Sequence, residues 1–160
     1  MDLAEKADIE PEIHELYNQK VYDEHCKGQT ICVLAFLPNI YDSNAKERNE
    51  YIEVIKAASK KNRKHPFEFF WLSAGDQLNF ERDLNLGFGF PAVVAISNSK
   101  QKVATMKGAY DESNFNSFLS GLISGGVSLD DLKKKVAVKK ADKWDGEDAK
   151  PIEEEYYDDL

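Results

Sequence analysis

Residues 87–94 read GFGFPAVV, and Pro91 stands immediately before an apolar run that continues to Ile96. A strand tolerates proline at its first position, because no hydrogen bond of the sheet is lost there. A second apolar segment, residues 102–106, follows the sequence SNSK at 97–100, a composition typical of a hairpin turn. The stretch therefore predicts two antiparallel strands, the first of which begins at Pro91.

The residues around this hairpin alternate between helical and strand patterns. The run TICVLAFL at 30–37 consists almost entirely of apolar strand formers, which is typical of a strand buried on both faces. Asp111 suits the N-cap of a final helix that Gly125-Gly126 would end. The remaining predicted elements are helices at Ile9–Cys26, Ser43–Lys64 and Gln77–Leu86 and a strand at Phe67–Leu72.

The predicted order of elements is α-β-α-β-α-β-β-α. A strand–helix–strand unit followed by a helix, an antiparallel hairpin and a closing helix gives a mixed central sheet with helices on both faces. This is an α/β fold of the thioredoxin-like arrangement. We assign it to residues 1–127 and assign residues 128–160 to a C-terminal tail.

The tail is first basic and then acidic. Residues 133–140 read KKKVAVKK, whereas residues 142–160 hold nine acids against two lysines, a local net charge of −7. Such charge-rich sequence is typical of a solubilising segment, and we expect the tail to be partly disordered. Trp144 and Pro151 indicate that part of it is anchored to the body.

Composition and charge exclude several classes of protein. The chain has 160 residues with 29 acids and 21 bases, and a net charge of −8 argues against general nucleic-acid binding. No apolar run approaches the roughly 20 residues of a membrane-spanning helix. Two cysteines are too few for a four-cysteine zinc site or a disulfide-framework miniprotein. We therefore expect neither nucleic acid nor membrane among the partners.

Four stretches of the chain resemble the protein disulfide-isomerase family, in particular a C-terminal, redox-inactive thioredoxin-like domain with an acidic tail. They are CVLAFLP at 32–38, RNEYIEV at 48–54, GFGFPA at 87–92 and WDG at 144–146, and the resemblance spans about residues 10–160. The resemblance implies a cis peptide bond before Pro91. It also implies a longer parent protein that carries two catalytic thioredoxin domains in the lumen of the endoplasmic reticulum.

The resemblance also implies a role in oxidative protein folding. The parent would catalyse disulfide formation and isomerisation and act as a chaperone, and this domain would bind clients or partners for it. The expected partners are unfolded or misfolded client proteins, the sister catalytic domains and a lumenal Hsp70 chaperone. The chain starts without an apolar signal region and stops at Leu160 without the family's retention tetrapeptide, so we expect a trimmed piece of the lumenal protein.

The thiol chemistry of a catalytic thioredoxin domain has no counterpart in the corresponding stretch. Catalysis needs C-x-x-C at the start of the helix after the first core strand, where the helix N-terminus lowers the pKa of the attacking thiol. Residues 37–45 read LPNIYDSNA and contain no cysteine. We therefore predict no catalytic residue in this chain, although the parent is an enzyme.

The two cysteines, Cys26 and Cys32, are spaced as CKGQTIC across a predicted turn. Three interpretations remain open: a structural disulfide, expected in an oxidising lumen; two buried reduced thiols; and an atypical redox-exchanging pair. The third would make the domain a thiol enzyme. A further alternative, a spacer that only sets the distance between other modules, needs neither chemistry nor binding.

Apolar residues on the loops beside the cysteine-free stretch are candidate peptide contacts. Catalytic thioredoxin domains hold extended peptides at this place through β-type backbone contacts. Packing against a neighbouring domain or the tail is the alternative. The candidate contact residues are Ile40, Tyr41, Phe88, Phe90 and Tyr110.

Two kinds of metal site are suggested by the sequence. Clustered carboxylates near the C-terminus are suited to weak calcium binding, since hard cations take oxygen ligands and no EF-hand spacing is present; a purely solubilising role is the alternative. These acids are Glu153, Glu154, Glu155, Asp158 and Asp159. A site from His14, His25 and Cys26 competes with the simpler interpretation of solvated surface histidines. No other cofactor is expected.

Overall fold

A six-stranded mixed sheet runs through residues 12–150, the part of the chain that the computed structural model describes. The spatial order of its strands is β1-β3-β2-β4-β5-β6, with β1 and β2 parallel to β3 and the pairs β2–β4, β4–β5 and β5–β6 antiparallel. The strands are β1 (Ile13–Glu15), β2 (Ile31–Leu37), β3 (Phe67–Ser73), β4 (Ala92–Ser97), β5 (Lys102–Thr105) and β6 (Asp130–Asp131).

Four α-helices and one short 3-10 turn connect these strands. They are α1 (Gln19–His25), the 3-10 turn Ile40–Asp42, α2 (Ala45–Lys61), α3 (Leu78–Asp83) and α4 (Glu112–Ser124). Asp111 caps α4 as predicted, because its side chain accepts a hydrogen bond from the Asn114 backbone N–H. Gly125 ends α4 with a φ of 84°, a left-handed conformation that glycine adopts without strain.

The central strand β2 is buried on both faces, which confirms the prediction from its apolar run. Leu34 and Phe36 point to the face covered by α1 and α3, whereas Val33, Ala35 and Leu37 point to the face covered by α2 and α4. A strand with helices on both sides must be apolar at every position, and this requirement explains the unbroken run.

The predicted first helix is wrong in its first half. Residues 13–15 form the edge strand β1, which pairs with β3 through Ile13↔Phe69, and the helix begins only after Asn18. Asn18 has an extended backbone and its side chain accepts from the Val21 N–H, so it is the true N-cap. The order of elements is therefore β-α-β-α-β-α-β-β-α-β.

Packing against the body continues beyond residue 127, the expected end of the domain. Strand β6 adds to β5, the Leu132 N–H donates to the Gln101 carbonyl at 2.8 Å, and Val136 and Val138 are buried under α1 and α3. We call residues 130–148 the C-terminal segment. Most of the segment is exposed, and two short apolar side chains between lysines, Val136 and Val138, anchor it to the body; the charge pattern alone does not indicate this.

No helix within residues 12–150 combines the length and apolar character needed to cross a lipid bilayer.

Candidate functional site

The ends of three strands bring three loops to one edge of the sheet. β2 and β3 finish together, with Leu37 opposite Ser73, and the antiparallel β4 starts beside them, with Ala92 opposite Phe36. The loops that leave or enter these strands therefore lie next to one another. We call residues 38–42, 74–78 and 87–91 the loop edge; it corresponds to the place where the sequence lacks a C-x-x-C pair.

Asn39 fixes the loop that replaces the C-x-x-C pair. Its side-chain oxygen accepts from the Tyr41 N–H at 3.0 Å, and its amide nitrogen donates to the Ala74 carbonyl at 3.1 Å. The Ala74 N–H in turn donates to the Leu37 carbonyl at 2.7 Å. The turn is thus held to the end of β3 by polar contacts and offers no thiol to a substrate.

Aromatic side chains from two of these loops are open to solvent. Tyr41 is 67% exposed and Phe88 is 65% exposed, while Phe90 is 36% exposed and Ile40 is half-buried. The peptide bond between Phe90 and Pro91 is cis. The three rings therefore stand on loops that the sheet places at one edge.

Tyr110, another predicted contact residue, packs between two helices. Its hydroxyl donates to the Tyr51 carbonyl of α2 at 2.7 Å, and its ring packs edge-on against Tyr51 and Phe115. Burial raises the pKa of the Tyr110 phenol. This side chain therefore joins α2 to α4 and remains only partly exposed.

Cys26 and Cys32 form a disulfide in the structure, with their Cα atoms 6.0 Å apart. Cys26 follows the last residue of α1, and Cys32 is fully buried near the start of β2. The loop edge lies at the other end of β2, about 16 Å away at about 3.3 Å per residue. The bridge therefore links a helix to the core at a distance from the place where thioredoxin catalysis occurs.

Arg48, which the sequence analysis did not select, lies buried beneath the loop edge. Its Nη2 donates to the Pro38 carbonyl at 2.9 Å and to the Ser73 hydroxyl at 3.2 Å, so it joins the ends of β2 and β3. Burial lowers the pKa of the Arg48 guanidinium, and the negative charges of Glu15 and Asp76 oppose that effect. The sequence feature that could have indicated the role of Arg48 is a single arginine in the first turn of an amphipathic helix.

Two tryptophans enclose the Arg48 guanidinium. It lies 5.2 Å from the ring centroid of Trp71 and 5.1 Å from that of Trp144, within the range of cation–π attraction. The Trp144 backbone N–H donates to the Glu15 carboxylate at 2.8 Å, and burial raises the pKa of Glu15. The C-terminal segment therefore closes over the buried side of the loop edge.

Two glutamine side chains hold the C-terminal segment by its backbone. Gln77 exchanges two hydrogen bonds with Lys139, donating to its carbonyl at 2.7 Å and accepting from its N–H at 2.8 Å. Gln19 likewise donates to the Val136 carbonyl and accepts from the Val138 N–H. Each side-chain amide thus pairs with the backbone of the extended segment as a neighbouring strand would, through hydrogen bonds that do not involve the segment's side chains.

The C-terminal segment ends at the start of α2. The Asp148 carboxylate accepts from the Ala45 N–H at 2.6 Å, one of the backbone donors that a helix N-terminus leaves free. A negative charge is favoured at this position by the helix dipole. The predicted calcium ligands Glu153, Glu154, Glu155, Asp158 and Asp159 lie outside the described residues.

Comparison with known proteins gives a consistent family assignment. Residues 3–127 match the family model described as PDIA6-like, C-terminal thioredoxin-like domain. Protein disulfide-isomerase A6 of Homo sapiens is 33% identical over 97% of this chain and 36% of its own length. Protein disulfide-isomerase 2-3 of Arabidopsis thaliana is 32% identical over 98% of this chain and 36% of its own length. The chain thus spans about a third of the length of these curated relatives.

Solved structures show the same fold. The bb fragment of ERp72 superposes with a TM-score of 0.56 at 12% identity, covering 72% of this chain and 50% of the fragment. The J-Trx1 fragment of ERdj5 gives a TM-score of 0.51 at 11% identity, covering 71% and 51% of the two chains. These likenesses confirm the predicted thioredoxin-like fold. Together with the family model, they show that the chain belongs to the family of C-terminal thioredoxin-like domains of PDIA6-type protein disulfide-isomerases.

Proposed function

We propose that this domain is a non-catalytic client-binding domain that assists oxidative protein folding within a longer protein disulfide-isomerase. The observation that carries the proposal is the group of exposed aromatic rings, Tyr41, Phe88 and Phe90, on a loop edge that lacks cysteine. Because the whole relatives are about three times as long, the disulfide chemistry belongs in this proposal to the sister domains.

The loop edge has the chemistry that unfolded polypeptides require. Unfolded clients expose apolar and aromatic segments that folded proteins bury, and aromatic rings contribute large contact areas to interfaces. Leu78, in the loop 74–78, is 64% exposed and extends the apolar surface of the loop edge. Below this surface, the hydrogen bonds of Asn39 and Arg48 hold the loop 38–42, which carries Tyr41, against the end of β3, so this loop needs little ordering on binding.

The proposed setting is the lumen of the endoplasmic reticulum, with the sister catalytic domains and a lumenal Hsp70 chaperone as further partners. Disulfides persist in oxidising compartments, and the Cys26–Cys32 bridge fits that setting. The relatives' names support a role beside disulfide exchange. We also propose that the terminal acids bind calcium weakly. Replacing Glu153, Glu154 and Glu155 with glutamine and Asp158 and Asp159 with asparagine should then abolish the calcium heat measured by titration calorimetry.

An aggregation assay tests client binding. We expect the intact domain to slow the light scattering of reduced, denatured lysozyme in proportion to its concentration. The double variant Tyr41→Ala/Phe88→Ala should lose most of this effect and keep its far-UV spectrum. Leu129→Ala is the matched control, because Leu129 is 53% exposed but lies between α4 and β6, outside the three loops of the loop edge. Equal losses in both variants, or no effect of the intact domain, would contradict the proposal.

A thiol enzyme using Cys26 and Cys32 is the competing function. A redox site needs a thiolate that substrates can reach; Cys32 is fully buried, Cys26 is partly buried, and the bridge is remote from the loop edge. A spacer domain, the third possibility, predicts an inactive intact domain in the aggregation assay. The assay therefore separates client binding from the spacer.

A further inference from the structure

We propose that His14, His25 and Glu68 form a binding site for one divalent transition metal ion, with zinc as the best-suited ion. The three residues come from β1, the last turn of α1 and the second position of β3. They lie on the sheet face that α1 covers, at the opposite end of β2 from the loop edge. The site is therefore separate from the proposed client surface.

The three side chains already lie within a short distance of one another. The imidazole rings of His14 and His25 stack with centroids 3.7 Å apart and planes inclined by 17°. His14 Nε2 is 3.2 Å from Glu68 Oε2, and one ligand atom from each residue lies within 4.8 Å of the other two. Tetrahedral zinc with bonds of about 2.0–2.1 Å needs ligand atoms about 3.3 Å apart. Because an imidazole lone pair lies in the plane of its ring, two nearly parallel rings cannot both face one ion, so the His25 ring must turn out of the stack to bind.

The burial of the three residues suits a site that can adjust around an ion. His14 is 8% exposed and forms the fixed part, packed against Phe70 at 5.3 Å between ring centroids. His25 and Glu68 are only partly buried, so their side chains can turn toward the ion. The open side leaves room for water as the fourth ligand, as in other zinc sites built from two histidines and one glutamate.

A second carboxylate lies behind the site. Glu12 Oε1 is 3.9 Å from His14 Nδ1, the ring nitrogen on the other side from Glu68. This distance is longer than a hydrogen bond and the Glu12 side chain is exposed, so Glu12 must move closer to orient the His14 imidazole as carboxylates do at other metal sites. By contrast, the His25 ring makes no hydrogen bond with any residue in 12–150, and its stacking on His14 is unsupported by polar contacts. A bound ion would give both rings a common partner.

The donor set selects the class of ion. Imidazole nitrogens favour zinc, nickel, copper and cobalt, whereas calcium and magnesium prefer oxygen ligands. The site therefore differs in chemistry from the terminal acids proposed to bind calcium. It also differs from the His14, His25 and Cys26 set considered from the sequence, because the Cys26 sulfur is committed to the disulfide and Glu68 takes its place.

Titration calorimetry with zinc chloride on the untagged, chelator-treated chain tests the site. We expect one ion per chain, with affinity reduced more than about tenfold in His25→Gln and in Glu68→Gln, since even the loss of an outer partner costs that much. His65→Gln is the control, because His65 is exposed and lies outside the cluster. It should bind zinc as the unaltered chain does. His14 is left intact because its removal would disturb the core.

A second measurement does not depend on the variants. Cobalt(II) added to the unaltered chain should give the intense visible absorption of a four-coordinate site, and one equivalent of zinc should remove it. Calcium should not. Absence of the cobalt spectrum, or zinc binding that His25→Gln and Glu68→Gln leave unchanged, would overturn the proposal.

Discussion

Trp144, in the C-terminal segment, lies edge-on to Trp71 of β3, with ring centroids 5.9 Å apart and planes at 89°. This geometry places the positive edge of one ring against the negative face of the other. The Arg48 guanidinium lies within 5.2 Å of both ring centroids and donates to Pro38, the first residue of the loop edge. The packing of the C-terminal segment is thus connected to the proposed client surface through one arginine.

Replacing Trp144 with alanine should destabilise the domain by about 2 kcal/mol, about half of what a fully buried tryptophan contributes. The variant loses the contact with Trp71 and the cation–π contact with Arg48, which then remains buried beside one ring. Urea unfolding followed by circular dichroism measures the change. Trp144→Phe keeps an aromatic ring on Arg48 but loses the bond from the indole N–H to the Glu147 carbonyl, so it should cost less. A loss below about 0.5 kcal/mol in Trp144→Ala contradicts this account.

The backbone pairing by Gln77 predicts how the C-terminal segment responds to protease. Gln77→Glu keeps an acceptor for the Lys139 N–H but sets a second oxygen against the Lys139 carbonyl, and about 1–3 kcal/mol of local stability should be lost. Trypsin should then cleave the lysine-rich residues 133–140 faster than in the unaltered chain. Gln29→Ala, at an exposed position, is the control and should be cleaved at the original rate. Equal cleavage of all three proteins would show that the Gln77 amide does not hold the segment.

Glu15 predicts a specific dependence of stability on pH. Burial raises its pKa above 4.5, so the folded state binds a proton more tightly than the unfolded state. Its contribution to the free energy of unfolding therefore becomes more favourable as pH falls from neutrality toward 4.5. Glu15→Gln, whose amide oxygen can still accept from the Trp144 N–H, should lack this component. Urea unfolding at about pH 7 and pH 5 measures it; a pH effect equal in both proteins would assign it to other groups.

The Cys26–Cys32 bridge should be a stable structural element. It closes a short loop, so the paired replacement Cys26→Ala/Cys32→Ala should cost about 2 kcal/mol in the chain-entropy view. Because Cys32 is fully buried, we expect the bridge to stay oxidised in glutathione buffers down to about −300 mV. Alkylation followed by intact mass measurement reports the redox state. A midpoint near about −180 mV, typical of isomerase sites, would restore the thiol-enzyme interpretation.

The parts of the fold that were predictable are those whose signal is local. The apolar run of β2, the Asp111 cap and the Gly125 terminus each depend on residues within one element. Strand β1 was missed because its hydrogen-bond partners lie in β3, more than 50 residues later, while the spacing of Ile13 and Leu16 imitates a helix.

The candidate site likewise has a part that could be predicted from the sequence and a part that could not. The loop edge was predicted because Tyr41, Phe88 and Phe90 belong to loops that any thioredoxin-like fold brings together. The docking of the C-terminal segment was not predicted, because Val136 and Val138 are short apolar residues in a lysine-rich stretch. Their burial depends on amides contributed from about 60 and 120 residues away, at Gln77 and Gln19.

The central claim is that the loop edge binds unfolded clients. Nuclear magnetic resonance of the isotope-labelled chain, titrated with an unlabelled, permanently unfolded client peptide, tests it most directly. We predict that the backbone amide signals of residues 38–42, 74–78 and 87–91 shift with peptide concentration, and that Tyr41→Ala/Phe88→Ala weakens the apparent affinity by about tenfold or more. Shifts confined to other surfaces, or no shifts at millimolar peptide, would contradict the account.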